Sequence, residues 1–230
     1  MRLIGVGVGP GDPELVTLKA ARVLATADRV FVPVLDAADT GRAEATVGAH
    51  AAPDRVERLV FALSPAERER YWAAAGDRVA AWLRETGGTA AFATIGDPNV
   101  YSTFGYLARA VRSLVPVVAI ETVPGITAMQ ALASASGTVL VEGHEPLTLL
   151  PLPDGGGEAL DAALKLGGTV VVYKGGRHLA GIARALDGRE AVLGAHIGLA
   201  DEKIAELSSA DGPAPYLSTV LIPAHRDGAP

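Results

Sequence analysis

Up to about residue 119 the chain alternates short apolar runs with longer stretches in which apolar residues return every three or four positions. The runs at 2–8, 29–34, 56–61, 89–94 and 117–120 predict strands. The stretches at 15–27, where Leu15, Leu18, Ala21, Val23 and Leu24 are apolar, at 64–85 and at 102–114 predict helices. Residues 36–54 are rich in Ala, Asp and Thr with weak periodicity, which suggests a loop and one helix. Ser64, Pro65 and Glu67 form a helix start, and Gly87-Gly88 the matching stop. Strands and helices alternating at this spacing predict a mostly parallel, helix-covered sheet.

The pattern then changes. After a helix at 126–135, strands are expected at 138–141, 147–150, 169–173 and 217–222, spaced irregularly between glycine-rich loops, so a mixed sheet is expected. Asp154-Gly155-Gly156-Gly157 reads as a loop between closely flanking strands, and Asp201-Glu202 before Lys203 as a solvated helix start. An α/β protein with two domains follows, 1–119 with a parallel sheet and 120–230 with a mixed one. The tail after Pro223 is expected to be loose.

Composition narrows the chemistry. The 230 residues are 49% hydrophobic, enough for a sizeable core, and no apolar stretch reaches the roughly 18 residues that span a bilayer. The apolar run 3–8 is too short for a signal-peptide core, so a cytoplasmic protein without membrane partners is expected. The absence of cysteine removes disulfides, thiolate nucleophiles and cysteine-ligated metals. A net charge of −6 with scattered basic residues argues against a nucleic-acid surface, so an anionic substrate would need a local basic pocket. None of the five histidines has metal-ligand spacing, and no G-x-S-x-G elbow is present.

Three strand ends carry the candidate chemistry. At the first, glycines stand at every second position, 5, 7, 9 and 11, which would leave one strand face bare, and Pro10 and Pro13 close a loop that holds Asp12. A dinucleotide fingerprint fails in register, because the sixth position from Gly5 is Pro10 and from Gly7 is Asp12. Asp36 after the second strand nevertheless keeps a Rossmann-type oxidoreductase open as an alternative. The second loop is Gly96-Asp97-Pro98 leading to Val100-Tyr101-Ser102, and the third is Pro124-Gly125-Ile126-Thr127-Ala128. Each combines a strand end with a helix N-terminus able to receive a ligand's carboxylate or hydroxyls. Lys174, Arg177 and His178 after the 169–173 strand form a potential anion-binding rim.

Taken together, GVGVGPGDPELVTLKA at 5–20, IGDPNVYSTFGYL at 95–107, VPGITA at 123–128 and VVVYKGGR at 170–177 resemble the tetrapyrrole methylase family. The segments look most like those of members that methylate C20 of precorrin-2 in cobalamin biosynthesis. The resemblance implies a homodimer that binds S-adenosylmethionine in the cleft between two domains, requires no metal and acts on a tetrapyrrole. Carried over residue by residue, cofactor contacts fall on Pro10, Ile95, Gly96, Asp97, Val100, Tyr101, Ser102, Thr127, Ala128 and Lys174. Substrate contacts fall on Gly7, Gly9, Asp12 and Arg177, with Gly5, Gly7 and Gly9 as a flat wall for the macrocycle. Lys19, Arg22 and His178 are further candidate partners for its carboxylates. No covalent catalyst is expected, and the acceptor of the C20 proton stays open between Asp12, Asp97 and water. Another ring position, the cobalt-containing substrate or a silent ligand-binding domain are the remaining alternatives.

Overall fold

The computed structural model describes residues 1–61, 65–154 and 157–226. The chain divides into two compact units, Met1–Thr127 and the residues from Ala128 onward. In the first unit five strands form one parallel sheet: β1 (Arg2–Gly7), β2 (Arg29–Val34), β3 (Val56–Val60), β4 (Thr89–Thr94) and β5 (Ala119–Val123), in the order β3-β2-β4-β1-β5. Four helices cover it: α1 (Leu18–Thr26), α2 (Arg42–Val47), α3 (Pro65–Thr86) and α4 (Phe104–Leu114).

Strand alternation sorts the core. Leu3, Phe31, Ala90 and Phe92 pack with α3 and α4 on one face, while Ile4, Val6, Val30, Val32, Ala91 and Ala93 pack with α1 and α2 on the other. All four phenylalanines of the chain lie in the first cluster. Phe92 is their hub, with Phe61 edge-on at 5.9 Å and Phe104 stacked at 6.1 Å.

Three boundaries differ from expectation, each for a local reason. The first helix begins at Leu18 because Asp12 caps a 3-10 turn at Pro13–Leu15, and Thr17 then accepts from the Ala20 N–H at 3.2 Å to start α1. The fourth helix begins at Phe104, whose N–H donates to Ser102 Oγ at 3.1 Å. The fifth strand is displaced from 117–120 to Ala119–Val123, since its ladder with β1 opens at Arg2↔Ala119 and Val118 still belongs to a turn bonded to Val115. The expected serine cap at Ser64 lies outside the described residues.

The second unit opens with α5 (Ala128–Ser136) and builds a mixed sheet from β6 (Leu147–Pro151), β7 (Thr169–Tyr173), β8 (Val192–Ala195), β9 (Lys203–Glu206) and β10 (Ser218–Ile222). Its order is β6-β7-β10-β8-β9. Only β6 and β7 pair in parallel; β10 runs antiparallel to both β7 and β8, and β9 antiparallel to β8. The helices α6 (Gly157–Lys165) and α7 (Leu179–Ala185) complete it.

Two expectations fail here. Residues 138–141 are not a strand: Thr138 closes the end of α5 through Ala133 O, and Val139 and Val141 are exposed and pair with no strand among the described residues. Asp201-Glu202 does not start a helix. Glu202 turns back to Leu199 O and accepts from Gly198 N–H at 2.7 Å, and the chain leaves the turn as β9. Among the described residues no helix is long and apolar enough to cross a membrane.

Candidate active site

The chain leaves β1 through α1 on one face of the sheet and leaves β4 through α4 on the other, although β1 and β4 are neighbours. Such a reversal opens a crevice outside the carboxyl ends of the two strands, where α/β sheets hold ligands. Register makes the ends level, with Gly7 opposite Thr94 and Val6 opposite Val123. The three glycine-proline loops of the sequence therefore leave the sheet side by side.

They are interlocked through their backbones. Gly96 N–H donates to Gly9 O at 2.8 Å and Val8 N–H to Thr94 O at 2.9 Å. Asp97 joins the other two loops: Oδ1 accepts from Asn99 N–H at 2.7 Å and Oδ2 from Gly125 N–H at 3.1 Å. A Cβ on Gly7 would lie 2.5 Å from Gly96 O and 2.6 Å from Gly125 N, so these three glycines meet where no side chain fits. Ser102 Oγ bonds Thr94 Oγ1 at 3.1 Å and so ties the far end of the second loop back to β4.

The flat wall for a macrocycle is corrected by this packing. The bare face at Gly5 is filled by the Phe104 ring, 2.5 Å from where a Cβ would stand, and that at Gly7 by the backbone of Gly96 and Gly125. Gly9, at φ +73, turns its α-carbon toward Leu15. The alternating glycines admit the protein's own parts, and Gly7 serves the junction of the loops. The carboxylate of Asp12 caps the Glu14 N–H at 2.8 Å, and the first loop is held from α2 by Thr46 Oγ1 on Gly11 O at 3.0 Å.

Of the other named residues, Pro10, Gly96 and Thr127 are buried, Ile95, Val100, Ser102 and Ala128 are half-buried, and Tyr101 is exposed. Tyr101 sits at φ 49, and its partial burial raises the phenol's pKa, which keeps the hydroxyl a donor. In the second unit Lys174 follows β7 at φ 61 with Nζ 5.9 Å from the centre of the Tyr216 ring. Arg177 is exposed, and His178 Nε2 contacts Pro153 O at 3.1 Å. Lys19 and Arg22 lie exposed on α1. The parts played by Gly125, Asn99 and Phe104 were not foreseen. Gly125 had a signal in its place between Pro124 and a helix start, whereas Phe104 reads as an ordinary core residue until Gly5 is seen beneath it.

The profile of the family described as Tetrapyrrole (Corrin/Porphyrin) Methylases matches residues 2–211. The chain belongs to this family. This tetrapyrrole methylase is 36% identical over 246 residues to the precorrin-2 C(20)-methyltransferase of Sinorhizobium sp, covering 98% of this chain and 96% of that one. It is 36% identical over 175 residues to a probable cobalt-precorrin-2 C(20)-methyltransferase of Methanocaldococcus jannaschii, covering 75% and 72%. Among solved structures it is similar to a cobalt precorrin-4 methyltransferase, with TM-score 0.72, 22% identity and 96% and 93% of the chains covered. It is also similar to the uroporphyrin-III C-methyltransferase of Thermus thermophilus complexed with S-adenosyl homocysteine, with TM-score 0.68, 24% identity and 96% and 97% covered. The tetrapyrrole methylase is thus an enzyme of the methyltransferase class, and the oxidoreductase alternative is set aside. Asp36, its remaining support, caps the Ala38 N–H at 2.8 Å.

Proposed function

We propose that the enzyme transfers the methyl group of S-adenosylmethionine to C20 of precorrin-2, giving precorrin-3A in cobalamin biosynthesis. The observation that carries this reading is the 36% identity to a precorrin-2 C(20)-methyltransferase over nearly the whole of both chains. The donor is supported by the same family membership and by the S-adenosyl homocysteine named with the Thermus thermophilus structure, which is what S-adenosylmethionine becomes on losing its methyl group.

Transfer from a sulfonium to an electron-rich carbon is an in-line displacement, so alignment of donor and acceptor is the main task. Loops locked through Gly7, Gly96 and Gly125 are suited to it, because backbone fixed by backbone has little freedom to drift. In this reading Gly96, Asp97, Val100, Tyr101, Ser102, Thr127, Ala128, Pro10, Ile95 and Lys174 hold the cofactor, Gly9, Asp12 and Arg177 lie toward the tetrapyrrole, and the enzyme works as a homodimer without a metal.

A second reading, methylation of the cobalt-containing precorrin-2, is favoured by the equal identity to the Methanocaldococcus jannaschii protein. Incubation with carbon-13 methyl-labelled S-adenosylmethionine and either substrate separates the two. A mass gain of one methyl with the label at C20 on metal-free precorrin-2 supports the first; gain only on the cobalt complex supports the second, and a label elsewhere on the ring removes both. Sedimentation of the purified enzyme tests the dimer.

A further inference from the structure

The first loop of the site has few donors of its own. Of the four residues between Gly9 and Glu14, Pro10 and Pro13 have no N–H to give. At Gly9 the loop is joined to its neighbour, because Gly9 O accepts from Gly96 N–H at 2.8 Å. Beyond that point two side chains from more than thirty positions along the chain reach it. Thr46 Oγ1 donates to Gly11 O at 3.0 Å, and His50 Nε2 contacts Pro13 O at 3.2 Å. A carbonyl only accepts, so Nε2 carries the proton of that bond.

The two donors stand four positions apart. Thr46 lies near the end of α2 and His50 in the turn that follows, which is closed by His50 N–H on Val47 O at 2.8 Å. α2 is itself fixed on two sides. Ala43 and Val47 are buried in the same core cluster as Val8, and Glu44 takes two nitrogens of Arg58 on β3, at 2.8 and 2.9 Å, while accepting from Gly41 N–H at 3.2 Å. Thr46 is fully buried, and Gly11 is buried with it. Taking away that hydroxyl leaves a buried carbonyl short of its donor, and the loop must move to satisfy it.

Asp12 lies between the two braced carbonyls, so its backbone is fixed on both sides. Its carboxylate caps the Glu14 N–H at 2.8 Å and its carbonyl accepts from Leu15 N–H at 3.1 Å. The second and third loops have their own bonds, through Asp97 to Asn99 and Gly125 and through Ser102 to Thr94.

We propose that Thr46 and His50 are positioning residues for the methyl acceptor. Through Gly11 O and Pro13 O they set where Asp12 and the backbone beside it meet the tetrapyrrole, an inference that rests on the methyltransferase function proposed above. Neither side chain touches a reacting group. The loops assigned to S-adenosylmethionine are held by other bonds, so loss of either brace should separate the two substrates: the acceptor loses its alignment and the donor keeps its place.

The test uses the full-length enzyme and four variants: Thr46→Val, which keeps the shape and removes the hydroxyl, Thr46→Ser, which keeps the hydroxyl, His50→Leu, and His50→Gln, which keeps a side-chain N–H. Steady-state methylation is measured on precorrin-2, or on its cobalt complex where that is the substrate the wild type accepts. Calorimetric affinity for S-adenosylmethionine and thermal melts accompany it. Thr46→Val should lower kcat/KM for the tetrapyrrole about 10-fold or more, with S-adenosylmethionine affinity within about twofold of wild type. Thr46→Ser should return to within about threefold of wild type, and His50→Gln should outperform His50→Leu. The Thr46→Val and His50→Leu losses combined should fall short of their product, since both act through one loop. A structural role alone would lower the melting temperature and leave the split between the two substrates unmoved.

Unchanged kcat/KM in Thr46→Val and His50→Leu, with wild type active, overturns the proposal alone. So does a loss that S-adenosylmethionine affinity shares equally, or one that neither Thr46→Ser nor His50→Gln restores. If Thr46→Val melts below the assay temperature, the His50 pair, at a half-buried position, decides by the same readings. Wild-type enzyme inactive on precorrin-2 and its cobalt complex removes the function and this proposal together.

Discussion

At the scale of the residue, Asp97 is where structure and proposed binding meet. Its two oxygens hold the Asn99 and Gly125 N–H groups, so the side chain sets the separation of two loops before any ligand arrives. Asp97→Ala leaves both donors without that acceptor, and about 1–3 kcal/mol of stability should be lost. Urea denaturation reads that loss, and calorimetry on the variant should find S-adenosylmethionine binding abolished. Unchanged affinity would remove Asp97 from the cofactor site while leaving its structural part intact. Gly-Asp-Pro is ordinary turn sequence, and nothing in its three letters shows that the carboxylate reaches a residue 28 positions on.

Elements carry the next level of constraint. Gly5 on β1 and Phe104 on α4 are a matched pair, the missing side chain of one making room for the ring of the other. Gly5→Ala should cost about 1–3 kcal/mol by overpacking. Combined with Phe104→Leu the costs should fall short of their sum by at least about 0.5 kcal/mol, measured as a double-mutant cycle in denaturant. Additive costs would show that the ring has other room. β1, β2 and β4 were legible because each is mostly buried and reads as a nearly continuous apolar run, and β4 keeps its expected bounds Thr89–Thr94; β5, with Glu121 and mostly exposed, was the strand whose bounds shifted. β8 and β9 were not legible, since Val192–Ala195 contains a glycine and Lys203–Glu206 is largely exposed on an edge, so neither has the pattern of a buried strand. Conversely 138–141 has a strand's short apolar run but no partner strand among the described residues, and pairing is what makes a strand. The candidate loops were readable as turns at strand ends; their mutual contacts depend on strand order, which no local pattern encodes.

For the whole molecule, arginine–glutamate pairs join segments far apart in sequence in both units. Arg2 holds Glu121 across β1 and β5, and Arg226 holds Glu145 at 2.6 Å while also reaching Val139 O. The hydrogen bond from the guanidinium lowers the pKa of each glutamate below its ordinary 4.5. A carboxylate depressed in the folded state contributes stability above its unfolded pKa and loses it as pH falls through the folded value. Thermal melts of wild type and Glu145→Gln should therefore differ by a constant small amount near neutrality and converge in acid below the wild-type carboxylate's range. A gap that persists there would mean the pair acts by packing alone.

The position of β1 has a consequence for how the chain is made. It lies between β4 and β5, the last two strands of its unit to be synthesised, so the strand of that unit made first waits unpaired for both of its neighbours. A waiting strand of uninterrupted Val and Ile would be a ready nucleus for association with other nascent chains. The glycines at 5 and 7, which in the finished enzyme make room for Phe104 and Gly125, leave one side of that strand with little to stick to. The spacing that closes the native junction thus also lowers the apolar surface that this strand offers before its partners are made, and Gly7→Val should raise the aggregated fraction on refolding from denaturant, read by light scattering.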